Sequence, residues 1–373
     1  MKICFITNRL DIICGGRQKG GDKYGWGRYS WEIVKRIAAQ PDFEVEVLIE
    51  EPSGYKKERC ILKKCFSLRE LPILFLNALK ARKYIKNCDI IHALDAYPYG
   101  VIAALANLGL NKKLIINGVG TFSVAPLESP LKSNLLRWAY RKASVVLCIS
   151  NYTCQEIKKR ISSLNNMKVI FLGIDVNYFK RNPYPKIQVP KKFILSVGVL
   201  KKRKGQHITI PAFAKVVKKY SELKYIIIGD QSNKSYFALL KELVKENNLE
   251  DKVIFLANVS DKDLIDYYST CTFSIIASQN DGLNFEGFGL IHLEASACGK
   301  PVIGTYDNGC EDAIVDGVTG FLVPQNDIEA TAQAMLKILD NPGLDRKMGR
   351  EGRKWAEKLN WDNIIKKYIA VYQ

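Results

Sequence analysis

Histidine is scarce in this 373-residue sequence, and its cysteines show none of the close spacings that bind metals. There are 3 histidines and 10 cysteines, and no two cysteines form a Cys-x2-Cys pair. Because a zinc cluster needs several such ligands close together, the sequence predicts no Cys/His metal site. Several cysteines, such as Cys4 and Cys148, lie inside apolar runs. This pattern favours buried, reduced thiols in a cytoplasmic protein.

Long apolar runs are also missing. The longest ones, Leu71–Leu79 and Val101–Leu110, fall well short of the roughly 20 residues that a membrane-spanning helix needs. Hydrophobic residues make up 47% of the chain and charged residues 25%, which excludes a disordered or collagen-like protein. The length favours two domains of ordinary size over one.

Acidic residues are too few to balance the basic ones, and the imbalance is uneven. The chain has 56 Lys+Arg against 38 Asp+Glu, a net charge of +18. Residues 1–180 hold 29 basic and 15 acidic side chains, whereas residues 181–373 hold 27 and 23. The first half is therefore expected to meet a nucleic acid, an anionic membrane or an acidic acceptor. No helix-turn-helix, zinc-finger or aromatic-basic RNA motif is present, so we predict no nucleic-acid partner.

Short apolar, β-branched runs alternate with amphipathic segments, which is typical of parallel sheets covered by helices on both faces. In the first half the predicted strands are Lys2–Thr7, Glu44–Ile49, Ile90–Leu94, Lys113–Ile116, Val145–Ile149 and Lys168–Phe171. The predicted helices there are Gly27–Ala39, Pro72–Lys86, Tyr99–Leu108, Pro130–Lys142 and Thr153–Ile161. In the second half the predicted strands are Phe193–Val197, Tyr225–Ile228, Val253–Phe255, Phe273–Ile276 and Pro301–Gly304.

A segment rich in proline and basic residues, 179–192, interrupts this rhythm and is interpreted as a linker. We therefore predict an α/β protein with two Rossmann-like βαβ domains whose parallel sheets face each other across a cleft. The first domain is expected to span residues 1–178 and the second 193–358. The C-terminal segment 359–373 is expected to cross back as a helix onto the first domain.

The strongest candidate site surrounds Glu286, which precedes a Gly-Phe-Gly turn, and Glu294 follows eight residues later in a predicted helix. Gly287 and Gly289 allow backbone N–H groups to approach a ligand closely. A helix that begins there points its positive end at a bound diphosphate. Glu286 is then expected beside a sugar and Glu294 beside ribose hydroxyls. The alternative is a glycine-kinked helix with solvated glutamates.

A cluster of cations follows the predicted strand that ends at Val197. Gly198 opens a turn that includes Arg203 and Lys204. Ligands of α/β folds bind at the C-terminal edges of parallel strands, and two cations there neutralise a departing diphosphate without a metal. A solvated basic loop is the alternative interpretation.

Two smaller motifs give weaker evidence for a ligand site. The glycines of GGDKYGWGRY, among them Gly25 and Gly27, follow the first strand but lack the Gly-x-Gly-x-x-Gly spacing of dinucleotide-binding proteins. The Asp-x-Asp at 261–263 follows Ser260 at a spacing typical of a capping box, so we predict that it caps a helix.

Together these motifs resemble those of the retaining, GT-B-fold glycosyltransferases of family 4, and especially the phosphatidylinositol-mannoside mannosyltransferase group. Glu286 and Glu294 match the family's E-x7-E motif, in the form EGFGLIHLEASACGKPV. Lys204, in RKGQ, matches its phosphate-binding lysine. Gly25 and Gly27 match the glycine loop that faces the donor.

The resemblance implies transfer of a hexosyl group from a nucleotide diphosphate sugar, with retention of configuration and with no metal or other cofactor. The acceptor implied is a membrane-associated or cell-envelope glycan or lipid, on the side of the first domain. The implied catalytic residues are Glu286, Lys204, Arg203 and His92. The implied donor-binding residues are Gly25, Gly27, Gly198, Arg203, Lys204, Gly287, Phe288, Gly289, Leu290 and Glu294.

Two departures from the family pattern bear on activity. Relatives usually carry an arginine where this chain has Val199. Either Arg203 supplies the missing cation, or the diphosphate is held by fewer charges. The histidine that many relatives place after a first-domain strand is replaced by Asn117 or Val119, depending on the alignment. His92 ends an earlier strand, where a role facing the cleft and a structural role are both open.

Basic amphipathic segments in the first half, Leu68–Lys86 and Pro130–Lys142, favour peripheral contact with an anionic membrane. The alternative is that their apolar sides face the sheet. Two other functions compete with the transferase: a nucleotide-sugar epimerase or phosphorylase on the same fold, and a non-catalytic subunit that binds nucleotide sugars.

Overall fold

The computed structural model describes residues 1–8, 10, 26–50, 60–64 and 71–373. The chain divides into two compact units: the first comprises Met1–Leu172 with Trp361–Gln373, and the second comprises Gly173–Asn360. The segment 179–192, interpreted from the sequence as a separate linker, is part of the second unit.

The first unit contains a parallel sheet flanked by helices. Its elements are β1 (Lys2–Ile6), α1 (Trp26–Ala38), β2 (Glu44–Ile49), β3 (Cys60–Lys64), α2 (Leu71–Ile85), β4 (Ile90–Ala93), α3 (Val101–Ala106), β5 (Lys113–Gly118), α4 (Thr121–Val124), α5 (Ser133–Lys142), β6 (Val145–Cys148), α6 (Asn151–Arg160) and β7 (Met167–Val169). Across the described residues the strand order is β3-β2-β1-β4-β5-β6-β7, and every recorded pair is parallel. Residues Ile3–Ile6 of β1 are fully buried, as expected for a strand of a sheet that helices cover on both faces.

The second unit repeats this plan. Its elements are β8 (Phe193–Val197), α7 (Gln206–Val217), β9 (Lys224–Ile228), α8 (Lys234–Glu246), β10 (Val253–Leu256), α9 (Asp261–Thr270), β11 (Ser274–Ile275), α10 (Leu290–Ala297), β12 (Val302–Thr305), α11 (Cys310–Ala313), β13 (Gly320–Val323), α12 (Ile328–Leu339) and α13 (Leu344–Lys358). The strand order is β10-β9-β8-β11-β12-β13, again with parallel pairs. In both sheets the order reverses beside the first strand, so the loops after β1 and β8 lie at switch points where α/β folds bind ligands.

The strands and helices named from the sequence are confirmed, with shifts of up to three residues at their ends. Two strands, β3 and β13, were not predicted. The apolar run of β3, CILKK, ends after three residues in two lysines, and β13, GFLV, begins with a glycine and is followed directly by a proline. Runs this short do not stand out from loops by periodicity alone.

A final helix, α14 (Trp361–Tyr372), packs into the first unit through its aromatic residues. The rings of Tyr29 on α1 and Trp361 have centroids 6.5 Å apart, and the hydroxyls of Tyr29 and Tyr368 are 3.5 Å apart. Tyr372 packs edge-on against Phe43, with ring centroids 5.8 Å apart. Tyr368 and Tyr372 are almost fully buried. The C-terminal helix is therefore part of the first unit's core.

Side chains of the second unit bind the proline-rich segment that follows β7. Asn182 donates its Nδ2 to Asp266 Oδ1 at 2.5 Å, and the backbone N–H of Lys186 donates to Asp266 Oδ2 at 3.0 Å. Arg353 Nη1 donates to the carbonyls of Val176 at 3.0 Å and Phe179 at 3.1 Å. These bonds explain why residues 173–192 belong to the second unit although they contain no named helix or strand.

We expect Tyr368→Ala to destabilise the first unit by about 3–5 kcal/mol, because it removes a large, fully buried aromatic ring. Lys367→Ala on the same helix is the control, since Lys367 is exposed and its substitution should change stability by less than about 0.5 kcal/mol. Urea denaturation of both variants measures the difference. Equal losses would show that α14 does not anchor the core.

Candidate active site

The loop between β8 and α7 carries the predicted cations, and two glycines shape it. Gly198 follows β8 with φ +154° and accepts no side chain easily in that conformation. The aliphatic part of Lys204 lies directly over it, since a Cβ at Gly198 would be 3.6 Å from Lys204 Cε. A short 3₁₀ turn, Lys202–Lys204, then presents the cations before α7 begins.

Gly205 brings this loop into contact with the loop that follows β11. It has φ +69°, and a Cβ added to it would lie 1.7 Å from the carbonyl oxygen of Ala277. The backbone N–H of Gln279 also donates to the carbonyl of Arg203 at 2.8 Å. No side chain other than hydrogen fits at Gly205, so the two loops are held together at van der Waals distance.

The predicted residues Arg203, Lys204 and Glu286 meet at one point. Lys204 Nζ lies 2.6 Å from Glu286 Oε2, and Arg203 Nη1 lies 2.9 Å from the same oxygen. The three side chains are only 12–20% exposed. Two cations thus share one carboxylate, which leaves a partly buried cluster with a formal charge of +1. Such a cluster attracts an anion.

The charge state of Glu286 follows from its surroundings. Burial by itself raises the pKa of this carboxyl, but the attraction of Lys204 and of Arg203 outweighs burial and holds the pKa well below its usual range. Ser278 adds a longer contact, with its Oγ 3.4 Å from Oε2. Glu286 is therefore ionised at every pH near neutrality.

Helix α10 begins immediately after this carboxylate. Gly289 is its N-cap residue, with φ +83°, a conformation that favours glycine. Gly309 approaches the same turn so closely that a Cβ there would lie 2.3 Å from the carbonyl carbon of Gly287. Its N–H donates to the carbonyl of Glu286 at 2.8 Å. The positive end of α10 thus lies next to the cluster of cations.

Matches to known families agree with this geometry. The family model described as "Glycosyltransferase Family 4" matches residues 24–178, and the one described as "Glycosyl transferases group 1" matches residues 180–355. A relative from Campylobacter jejuni, N-acetylgalactosamine-N,N'-diacetylbacillosaminyl-diphospho-undecaprenol 4-alpha-N-acetylgalactosaminyltransferase, is 30% identical over 85% of this chain and 88% of its own. The chain belongs to the family 4-like glycosyltransferases.

Two further relatives show how varied the named acceptors are. N-acetyl-alpha-D-glucosaminyl L-malate synthase from Bacillus anthracis is 27% identical over 77% of this chain and 75% of its own. The GDP-mannose-dependent alpha-(1-6)-phosphatidylinositol monomannoside mannosyltransferase from Mycolicibacterium smegmatis is 24% identical over 72% and 73%. The second match confirms the resemblance to the phosphatidylinositol-mannoside group that the motifs indicated.

A solved structure confirms the fold. HepE from Anabaena, crystallised with UDP and glucose, superposes with a TM-score of 0.80 over 100% of this chain and 99% of its own, at 19% identity. The glycosyltransferase therefore has the GT-B architecture of two Rossmann-like units, as predicted.

Three other residues of the second unit that were predicted to bind the donor, Glu294, Phe288 and Leu290, are buried or only partly exposed. Glu294 is 6% exposed, and the hydroxyl of Tyr268 donates to its Oε2 at 3.0 Å. Phe288 is buried, so only its backbone faces the turn, whereas Leu290 is partly exposed. A contact of Glu294 with ribose hydroxyls stays a prediction.

Several residues that the sequence did not single out connect the loops around the cluster. Asn308 Nδ2 donates to Thr305 Oγ1 at 2.8 Å, and Thr305 Oγ1 donates to the carbonyl of Ser278 at 2.6 Å. Gly229, after β9, lies under the cation loop, since a Cβ there would be 1.8 Å from the carbonyl oxygen of Gly198. A glycine directly after a buried strand, as in IIIGD, is the sequence signal that could have indicated Gly229.

Of the two roles that the sequence left open for His92, its contacts within the first unit fit the structural one. Its ring is fully buried, with Nε2 2.8 Å from Asn117 Oδ1 and Nδ1 2.8 Å from the hydroxyl of Tyr372. Because an amide oxygen only accepts, Nε2 carries the proton and Nδ1 accepts from the tyrosine. Burial lowers the pKa of His92 to about 4. A catalytic role for His92 stays a prediction.

The glycine loop of the first unit is only partly described. Gly27 lies in the first turn of α1 and is buried, whereas Gly25 is outside the described residues. Neither position tests the donor contact that the resemblance implies. Asn117, one of the two candidates for the replaced histidine, is fully buried in the His92 network.

The capping prediction for residues 261–263 is confirmed. Ser260 precedes α9, its Oγ accepts from the N–H of Asp263 at 3.0 Å, and it donates to Asp263 Oδ2 at 2.6 Å. In the described part of the chain, no group of three or more His, Cys, Asp and Glu side chains is placed to hold a metal ion.

We expect Gly205→Ala to destabilise the second unit far more than Gly282→Ala does. Both glycines have left-handed φ angles, +69° and +58°, but a Cβ at Gly282 meets nothing within 4 Å. Gly282→Ala should therefore cost only about 1 kcal/mol of backbone strain. Gly205→Ala adds a clash with the Ala277 carbonyl and should cost at least about 3 kcal/mol. Similar urea midpoints for the two variants would contradict this close approach.

The buried His92 predicts a pH-dependent stability. Its pKa is about 4 in the folded protein and about 6.5 when unfolded, so the unfolded chain binds more protons between these values. Its contribution is complete above pH 6.5, falls by about 2 kcal/mol at pH 5, and is lost as the pH approaches 4. The free-energy difference between the wild type and His92→Gln should therefore shrink by that amount from pH 7 to pH 5. An unchanged difference would show that His92 titrates normally.

Proposed function

We propose that the glycosyltransferase transfers a hexosyl group from a nucleotide diphosphate sugar to an acceptor hydroxyl with retention of anomeric configuration. The observation that carries the proposal is the convergence of Lys204 and Arg203 on one oxygen of Glu286, beside the start of α10. Two cations, backbone N–H groups and a helix N-terminus are what a departing diphosphate needs.

In the proposed reaction the bond between the anomeric carbon and the β-phosphate oxygen breaks, and the nucleoside diphosphate leaves. Its growing negative charge is neutralised by Lys204 and Arg203, which fits the expectation that no metal is required. The acceptor oxygen bonds to the anomeric carbon on the same face, and its proton passes to the leaving phosphate oxygen.

Glu286 is given an electrostatic role rather than that of a proton acceptor. A carboxylate whose pKa is held far below neutrality does not take up a proton from a hydroxyl efficiently. Its fixed negative charge instead stabilises the positive charge that develops on the sugar ring as the leaving group departs. When the donor diphosphate binds, it draws one of the two cations away, and the other keeps the carboxylate ionised beside the sugar.

For the acceptor, we propose a lipid-linked or cell-envelope glycan that meets the first unit at a membrane. The names of the Campylobacter and Mycolicibacterium relatives, which include diphospho-undecaprenol and phosphatidylinositol, support a lipid acceptor. The surplus of 14 positive charges in residues 1–180 supports an anionic surface. No helix in the described residues is long and apolar enough to cross a bilayer. The association proposed is therefore peripheral, on the cytoplasmic face.

A small acidic acceptor is the second candidate, because the Bacillus relative is named for L-malate.

An epimerase is less well supported, because it would need accessible acid and base groups. His92 and His292 are buried, and His207 Nδ1 lies 2.9 Å from the hydroxyl of Tyr236. A non-catalytic subunit is a further alternative, because Val199 stands where relatives usually carry an arginine. Arg203 supplies a second cation, which favours the transferase.

Incubation with a panel of nucleotide sugars, with extracted membrane lipids or L-malate as acceptors, tests the reaction. Release of nucleoside diphosphate together with a glycosylated product supports the transferase, and the anomeric coupling constant of that product by NMR tests retention. A changed sugar without an acceptor would indicate an epimerase. Binding of a nucleotide sugar without turnover would indicate a non-catalytic subunit.

Lys204→Ala should lower kcat by about 10²–10³-fold, because it removes one of the two cations that neutralise the leaving group. Lys202→Ala is the matched control, since this lysine belongs to the same turn but its side chain is 69% exposed and lies 3.8 Å from Asp281. Its kcat should stay within about twofold of the wild type. Wild-type turnover in Lys204→Ala would contradict the assignment of the diphosphate site.

A further inference from the structure

Helix α2 of the first unit has two different faces. One is buried and consists of Leu74, Ala78, Ala81 and Ile85. The other is exposed and apolar: Phe75 is 52% exposed, Leu76 57% and Leu79 62%. A helix that only covers a sheet keeps side chains of this kind on its buried side. The exposed apolar residues of α2 are therefore not explained by packing in the first unit.

A neighbouring loop extends this exposed face. Arg82 Nη1 donates to the carbonyl of Ala106 at 2.8 Å and also to the carbonyl of Leu108, which places the end of α3 beside α2. Leu108 is itself 51% exposed. Large exposed apolar residues that lie side by side indicate an interaction site.

Three lysines, Lys80, Lys83 and Lys86, occupy the same exposed side toward the C-terminal end of α2. At 3.6 residues per turn, Lys83 and Lys86 follow the stripe of Phe75 and Leu79. No aspartate or glutamate occurs in the sequence between Glu70 and Asp89. Together with Phe75, Leu76, Leu79 and Leu108, these lysines form what we call the α2 face.

Helix α5, the other basic amphipathic segment indicated by the sequence, has no comparable face. Its Leu136, Ala139 and Tyr140 are buried, so its apolar side faces the unit's interior as the alternative interpretation required. Leu131, which is 72% exposed, lies ahead of this helix. The structure therefore distinguishes two segments whose sequences gave the same expectation.

We propose that the α2 face binds an anionic lipid bilayer. Phe75, Leu76, Leu79 and Leu108 enter the boundary between headgroups and acyl chains, and the three lysines contact lipid phosphates. The helix, about 22 Å long at 1.5 Å per residue, lies along the surface rather than across it. A second copy of this face offers no Asp or Glu between residues 71 and 88 to pair with these lysines, whereas a bilayer offers phosphates, which favours the bilayer as the occupant.

This inference deepens the proposed function, on which its biological role rests: the surface would hold the first unit at the membrane that contains a lipid-linked acceptor. Bilayer binding itself needs no turnover. It can therefore be measured, and can fail, separately from the transferase reaction.

The test is sedimentation with vesicles of phosphatidylcholine mixed with phosphatidylglycerol, and with vesicles of phosphatidylcholine alone. The wild type should bind the mixed vesicles, and added salt should weaken the binding because it screens the lysines. A variant with Lys80→Gln, Lys83→Gln and Lys86→Gln should bind about 100-fold more weakly. A variant with Phe75→Ser, Leu76→Ser and Leu79→Ser should lose at least about tenfold in affinity.

A matched control substitutes Lys218→Gln, Lys234→Gln and Lys245→Gln, which are exposed lysines of the second unit. It removes the same charge and should bind like the wild type. Thermal shift with nucleoside diphosphates should be the same in all variants, so failure of vesicle binding is distinguishable from failure of the donor site.

The proposal is overturned if the wild type does not bind the mixed vesicles at low salt, or if both α2 variants bind as well as the wild type. Equal loss of binding in the control would assign the effect to net charge and contradict a localised face. A wild-type dimer that becomes monomeric with the Phe75, Leu76 and Leu79 substitutions, and does not bind vesicles, would assign the face to a second copy.

Discussion

One oxygen of Glu286 is bonded to two cations, and the local structure of the second unit depends on keeping these three charges together. Buried charges are costly unless they are paired, and here Lys204 and Arg203 outnumber the carboxylate. The loops that carry them come within contact distance because Gly205 and Gly309 have no side chain. The excess positive charge is kept partly shielded from water beside the start of α10, which prepares the site for an anion.

The first unit contains the contrasting case, a buried polar network without excess charge. Tyr29, Asn117, His92 and Tyr372 are connected through neutral donors and acceptors, and burial keeps His92 unprotonated at neutral pH. Such a network specifies how α1 and α14 pack on β4 and β5. The two units therefore use buried polar side chains differently: one to fix a core and the other, in the function proposed above, to bind a diphosphate.

Much of this could be predicted from the sequence, for identifiable reasons. The strands were apparent because sheets buried on both faces need continuous apolar runs. The residues of the cation cluster were apparent because they match the family's motifs and because the Lys204 loop follows a predicted strand, at an edge where α/β folds bind ligands. The surroundings of the His92 side chain could not be predicted, because the sequence at a strand end is the same whether the histidine faces a ligand or a tyrosine. The same ambiguity applied to α2 and α5, since an apolar stripe looks alike whether it meets a sheet or a solvent-exposed surface.

The central claim is that the Lys204–Arg203–Glu286 cluster is the diphosphate site. The most direct measurement is a crystal structure of the protein soaked with a nucleoside diphosphate. The account predicts the β-phosphate within hydrogen-bond distance of Lys204 Nζ and Arg203 Nη1, with Glu286 Oε2 released from at least one of them. A diphosphate bound elsewhere, with both cations still on Glu286, would contradict it.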